Sequence, residues 1–176
     1  MKIKKLLIIC IAAITLVGTS CSSSKNNLNV TNLVNKAYSY ISKINNLLSK
    51  IPKDCNILNI DAIKDNTVVS LNDVTDLLNQ STTIYNKYKD ETTRSSISLN
   101  DILNLITSLH STENSLATLK TQFDGANSQV KNLTKTQSQQ ASESLDFIKN
   151  GLNLGTSSVT ETISSLNSII SALKGN

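Results

Sequence analysis

Arginine and histidine occur once each in this chain, as Arg94 and His110. Tryptophan is absent, and only five glycines are scattered along 176 residues. Each scarcity excludes something. So few glycines leave no Gly-rich loop to cradle a phosphate. A reader of phosphate or carboxylate is expected to use several arginines, because the guanidinium fork matches those groups bidentately. The formal charge of +4 falls to +1 once Lys2, Lys4 and Lys5 are set aside with the leader described below. The concentrated basic face that nucleic acid requires is therefore missing, and no nucleic-acid partner is expected. Of the three cysteines, Cys10 falls inside the leader, which leaves Cys21 and Cys55. If Cys21 is acylated, Cys55 has no partner in its own chain. That rules out a disulfide framework and a Cys-based zinc site. Cys55 is then a small semi-buried residue, with pairing to a second chain as the alternative.

Catalytic constellations are equally sparse. His110 and Glu113 stand one helical turn apart and could supply part of a metal site, but no third ligand has a clear place. Asp73 and Asp76 are similarly spaced, yet acid–base work needs a pocket that shifts their pKa values, and carboxylates near a helix start commonly serve the dipole. No serine sits in a G-x-S-x-G elbow. Neither an enzyme nor a bound cofactor or metal is expected.

What is present begins at the N-terminus. Met1–Lys5 is short and basic, and Leu6–Val17 (LLIICIAAITLV) is apolar. That core is too short to span a bilayer, which takes roughly twenty residues. A basic start, a short apolar core and a small-residue exit make a secretory signal peptide over residues 1–20. Gly18-Thr19-Ser20-Cys21 then has the form of a lipobox. The thiol of Cys21 would take a diacylglycerol, and the new amine a further chain. The strict motif has Leu where Gly18 stands, so ordinary cleavage after Ser20, leaving a free thiol, is the competing route. Residues 21–27 (CSSSKNN) form a flexible tether. Each buried CH2 of an acyl chain adds about 0.8 kcal/mol of membrane affinity, so two or three chains hold firmly without a transmembrane helix.

Residues 28–176 carry a helical pattern. Asn, Ser and Thr exceed a third of the chain, a density usually associated with disorder, but the apolar positions are regularly spaced. Val30, Val34, Ala37, Ile41, Ile44, Leu48 and Ile51 step alternately by four and three, and Pro52 ends that helix. Cys55–Asn66 is expected to be a connector with a brief helix. A second long helix starts at Ser70, follows Leu71, Val74, Leu78, Tyr85 and Tyr88 with Ser81 as a polar gap, and frays over Lys89–Ser96. A third starts at Ser98, runs through Gly125 and Leu133, and ends in the glutamine-rich stretch TKTQSQQ at residues 134–140. A fourth piece carries Leu145, Ile148 and Leu152 and stops near Gly151 and Gly155. The last holds Val159, Ile163, Leu166, Ile170 and Leu173. The SLND stretches at Ser70 and Ser98 look like capped starts, and Ser158 with Glu161 like a capping box. No strand alternation of any length appears. The fold class is all-α, an antiparallel bundle of four or five helices with coiled-coil-like heptad stripes. Stripes this narrow also suit a homodimer that buries a further seam.

Tyr38, Tyr40, Tyr85 and Tyr88 are the candidate ligand contacts, because tyrosine brings contact area at low entropy cost. The lipobox at Gly18–Cys21, the serine-rich tether and a helical domain of this size together resemble the small surface lipoproteins of Borrelia-type spirochaetes, of the variable small protein and arthropod-associated lipoprotein class. That resemblance implies lipid-anchored display on the outer membrane and interaction with a host or vector, by adhesion, capture of a host protein or shielding. The alternatives are an inward-facing accessory lipoprotein of an envelope complex, or a secreted accessory protein without lipid.

Overall fold

The computed structural model describes residues 28–175. The leader, Cys21 and the tether lie outside the described residues. Within them the chain is an all-α bundle, ordered α1 (Val30–Leu48), α2 (Ile60–Lys89), a short α3 (Glu91–Arg94), α4 (Leu99–Gln129) and α5 (Lys135–Lys174), with a 3-10 turn at Val130–Asn132. Long helices adjacent in sequence run antiparallel. The core pair, α2 and α5, run parallel: Thr67 and Leu71 lie by Gly151, and Leu71 also lies by Gly155. Both α1 and α4 pack against α2 and against α5 and so flank that pair.

Several helix boundaries differ from those expected, each for a physical reason. α1 stops at Leu48, before Pro52, and Ile51 is 45% exposed beyond it. α2 begins at Ile60 rather than Ser70. Its buried stripe runs back from Leu71 through Thr67 to Ile63 and Ile60, and a threonine on a stripe hides the pattern. Ser70 is buried in mid-helix and caps nothing. Ser98, by contrast, is the N-cap of α4, its hydroxyl accepting from the Asp101 amide at 3.3 Å. Lys89–Ser96 is an ordered corner: Asp90 caps α3 by accepting from the Thr92 amide and hydroxyl at 2.9 and 2.7 Å.

The stretch TKTQSQQ does not end the third helix, which stops at Gln129, but opens the next one behind the Thr134 cap, and the two C-terminal pieces are one helix of 40 residues. Gly151 and Gly155 do not end it; they are where neighbours come closest. A Cβ on Gly151 would lie 3.0 Å from Leu71 Cδ1 and from Thr67 Cγ2, and one on Gly155 3.2 Å from both Leu116 methyls. Glycine's helix penalty of about 1 kcal/mol relative to alanine is offset by close packing against α2 and α4. Ser158 is no cap either. It is fully buried and donates to the Gly155 carbonyl at 2.9 Å. The capping box of α5 is Thr134–Gln137, with the Thr134 amide donating to Gln137 Oε1 at 3.0 Å and the Gln137 amide to Thr134 Oγ1 at 3.3 Å.

The core tolerates hydroxyls because most of them find a carbonyl on their own helix. Thr67 donates to Ile63, Ser81 to Leu77 and Thr162 to Ser158, at 2.7, 2.8 and 2.7 Å. Ser81, the apparent gap in the stripe, is therefore core. Ser144 differs: its hydroxyl is, among the described residues, the one fully buried side-chain polar atom without a partner.

Candidate functional site

The four tyrosines do not form one site. Tyr38 is 53% exposed on the outside of α1. Tyr40 is half-buried; its hydroxyl donates to Glu161 Oε1 at 2.9 Å, while Lys36 reaches Glu161 Oε2 at 3.4 Å, so α1 is tied to α5. Burial, and secondarily the Glu161 carboxylate, push the Tyr40 phenol above its ordinary range. Tyr85, expected as a ligand contact, is instead 2% exposed and packs in the core. Desolvation pushes its phenol up to about 12, opposed by a hydrogen bond with Ser165. Its place on the α2 stripe, in step with Leu71, Val74 and Leu78, is the signal that marks it as core. Tyr88 is half-buried, with the Arg94 guanidinium 4.8 Å above its ring centroid.

His110 Nδ1 lies 3.1 Å from Glu113 Oε2, and Glu113 Oε1 also accepts from Thr160 at 3.1 Å. Both carboxylate oxygens are thus engaged, Oε2 within α4 and Oε1 in joining α4 to α5. Asp73 and Asp76 line a shallow groove with Ser108, Ser111 and Thr112. Among the described residues no group of three or more His, Cys, Asp or Glu side chains is placed to hold a metal ion.

Cys55 is 5% exposed in the segment between α1 and α2, and its thiol is free. Burial pushes the thiol pKa up, helped by the Asp61 carboxylate and opposed by the Ile57 backbone and Lys64, so the sulfur is held in its neutral, unreactive form. The same segment contains a charged staple that its sequence does not announce. Lys64 is 2% exposed, and its ammonium lies 3.0 Å from Asp61 Oδ1, 3.4 Å from Asp54 Oδ1 and 3.5 Å from the carbonyls of Pro52 and Lys53. Asp61 in turn accepts from the Cys55 amide at 2.6 and 2.7 Å. Desolvation works against both charges, but the hydrogen bonds prevail and widen the gap between them: Asp61 falls below its ordinary pKa and Lys64 rises above its own. The staple holds down a segment that passes through two left-handed residues, Leu58 and Asn59, at φ 52° and 58°.

One group of side chains gathers around an open cavity of about 610 Å³ at the end of the bundle where the chain enters α1. Tyr88, Lys89, Glu91 and Arg94 face Asn29–Thr31 there. Arg94 Nε donates to the Tyr88 carbonyl at 2.8 Å. In the sequence Arg94 is only a single arginine; its stacking on Tyr88, six residues earlier, comes from the turn that α3 makes and has no signature in spacing.

No helix among the described residues is long and apolar enough to cross a membrane. Comparison of the chain with protein-family models, with curated proteins and with solved structures finds no match in any of the three.

Proposed function

We propose that this chain is a lipid-anchored lipoprotein, displayed on the outer membrane of a Borrelia-type cell, whose helical bundle engages host or vector proteins. One observation carries the reading: the stretch TLVGTSCSSSKNN, in which an apolar leader ends, small residues follow and a cysteine precedes a serine-rich tether. A thiol at that position is what acyl transfer requires. The bundle that follows is suited to stand off a surface. Its longest helix spans about 60 Å at 1.5 Å per residue. Its outward faces are rich in Asn, Ser and Thr, which hydrate well and carry little charge. Tyr38, exposed on α1, is the aromatic contact that such a face offers.

The test is mass spectrometry of the protein from its native cells. A chain beginning at Cys21 with two or three acyl chains is expected. An intact leader or an unmodified start would overturn the anchor. Protease treatment of unbroken cells tests display: loss of the protein supports an outward-facing bundle, and survival until the membrane is opened refutes it.

A further inference from the structure

We infer that the cavity beside Arg94 binds the phosphate of a phospholipid head group. The chemistry of the site stands by itself; the choice of a lipid as the source of the phosphate rests on the lipid-anchored reading above.

Arg94 is the only arginine, but its guanidinium is already held. Nε donates to the Tyr88 carbonyl at 2.8 Å, and the group stacks 4.8 Å from the Tyr88 ring centroid. Among the described residues Arg94 forms no salt bridge, so its terminal amino groups have no carboxylate partner. A guanidinium fixed in this way has lost most of its rotamer freedom before any ligand arrives. An oxyanion then gains a charge-assisted, two-pronged contact without the usual ordering penalty. Lys89 on the same wall adds a second cation that also lacks a carboxylate partner. The wall opposite is the start of α1, whose positive dipole end offsets the negative end that α2 presents at Tyr88 and Lys89. Glu91 is the single carboxylate of the cavity; two cations against one anion leave it net positive.

The position of the cavity selects the source. Leu28 borders it and stands seven residues after Cys21. Seven extended residues reach at most about 25 Å, whereas the far end of α5 is about 60 Å away. An acyl chain on Cys21 therefore brings this end of the bundle, and not the other, to the head groups. Such tethering raises the local head-group concentration enough for a weak site to fill. Occupancy would hold the bundle upright on its short tether.

The test uses the full processed chain with Cys21→Ser, so that no acyl chain contributes. Amide shifts are followed on adding inorganic phosphate and glycerol 3-phosphate. Flotation is measured with phosphatidylcholine vesicles, with and without phosphatidylglycerol. Shifts at Asn29–Thr31 and Tyr88–Arg94 are expected with both phosphates, together with flotation. Arg94→Gln should weaken both by at least about tenfold, the size of a lost charged hydrogen bond. Arg94→Lys should recover little of that loss, because a lysine keeps the charge without the fork. Glu91→Gln, at an exposed position, should tighten binding and shows that a folded variant can move the reading. No shift with either phosphate, or equal flotation by the parent and Arg94→Gln, overturns the site. Phosphate shifts without flotation overturn the lipid source and point to a soluble phosphate. Shifts that appear only when residues 22–27 are deleted overturn the proposal by assigning the cavity to the tether itself. Because the protein tested is unacylated, failure here is distinct from an unmodified Cys21 in the native protein.

Discussion

Two glycines in long helices predict opposite responses to the same substitution. A Cβ on Gly125 of α4 would meet nothing within 4 Å. Gly125→Ala therefore gains the helix preference of alanine and a less flexible unfolded chain, worth about 1 kcal/mol of added stability. Gly151→Ala gains the same amount but places its methyl 3.0 Å from Leu71 Cδ1 and from Thr67 Cγ2. Neither neighbour yields readily. Leu71 is fully buried, and Thr67 is β-branched with its hydroxyl fixed to the Ile63 carbonyl at 2.7 Å. Overpacking of this kind costs roughly 1–3 kcal/mol, so Gly151→Ala should lose about 1 kcal/mol net. The two variants then differ by about 2 kcal/mol. For a domain of this size that corresponds to a Tm gap of roughly 4–8 °C, with Gly125→Ala above the parent and Gly151→Ala below it. Thermal melts followed by circular dichroism, supported by urea midpoints, measure this directly. If Gly151→Ala melts as high as Gly125→Ala, the close approach of α2 to α5 is not as described, and Gly151 is an accident of sequence rather than a packing residue.

Other perturbations follow from single contacts. Ser144→Ala removes a buried hydroxyl that has no partner, so it should be neutral or stabilising by about 1 kcal/mol in denaturant titration; a clear loss would show that the hydroxyl is satisfied. Lys64→Met should destabilise by roughly 1–3 kcal/mol, since Asp61 loses its buried cation, and should speed alkylation of Cys55 as the segment loosens. Asp61 is depressed, so its contribution is complete above its unfolded pKa and disappears as pH falls through the folded value; Lys64 is raised, so its own is complete below its unfolded pKa and disappears as pH rises through the folded value. The difference in stability between the parent and Lys64→Met should therefore be flat across neutral pH and shrink at both extremes. Tyr85, raised to about 12, should be the last phenol to ionise in an ultraviolet titration, its contribution to stability being whole below about 10 and lost through about 12; ionisation of all four tyrosines together near 10 would refute its burial.

The helices were legible where apolar residues held the stripe, and α2 through Ser81 and α4 through Gly125 with them, but helix ends were misplaced where hydroxyls or glycines clustered. α1 and α4 show the first case: Val30, Ala37 and Ile44, and Ile102, Leu109, Leu116 and Phe123, keep the spacing without interruption. The start of α2 shows the second. Thr67 and Ser70 look polar in a sequence, but inside a helix a hydroxyl donates to the carbonyl one turn back, as Thr67 does, and such a side chain is small enough to bury. The same chemistry explains why Ser158, an attractive cap by spacing, is core. Glycine misleads for a related reason. Its helix penalty is local and visible, whereas the offsetting closeness of α2 and α4 to Gly151 and Gly155 is a tertiary fact. In a chain this rich in Ser and Thr, a hydroxyl marks a helix end at Ser98 and Thr134 but is core at Ser70 and Ser158.

The functional residues divide along the same line. The proposed acylation of Cys21 can be read from sequence because such processing is decided by an extended stretch of local sequence, before any fold exists. The proposed Arg94 site is illegible because a guanidinium is prepared for an anion by what restrains it and what leaves it unpaired. Both depend on the corner at Asp90–Arg94 folding back over Tyr88. Counting arginines measures how many receptors a chain could build, not whether one of them is built. A single arginine with its Nε fixed and its amino groups free is better prepared for phosphate than several mobile ones, because the entropy of ordering is lost during folding rather than on binding. The corner that does this sits at the same end as Leu28. The two proposed membrane contacts, one covalent and one conformational, therefore belong to one end of the bundle, while Tyr38 is exposed on the outside of α1.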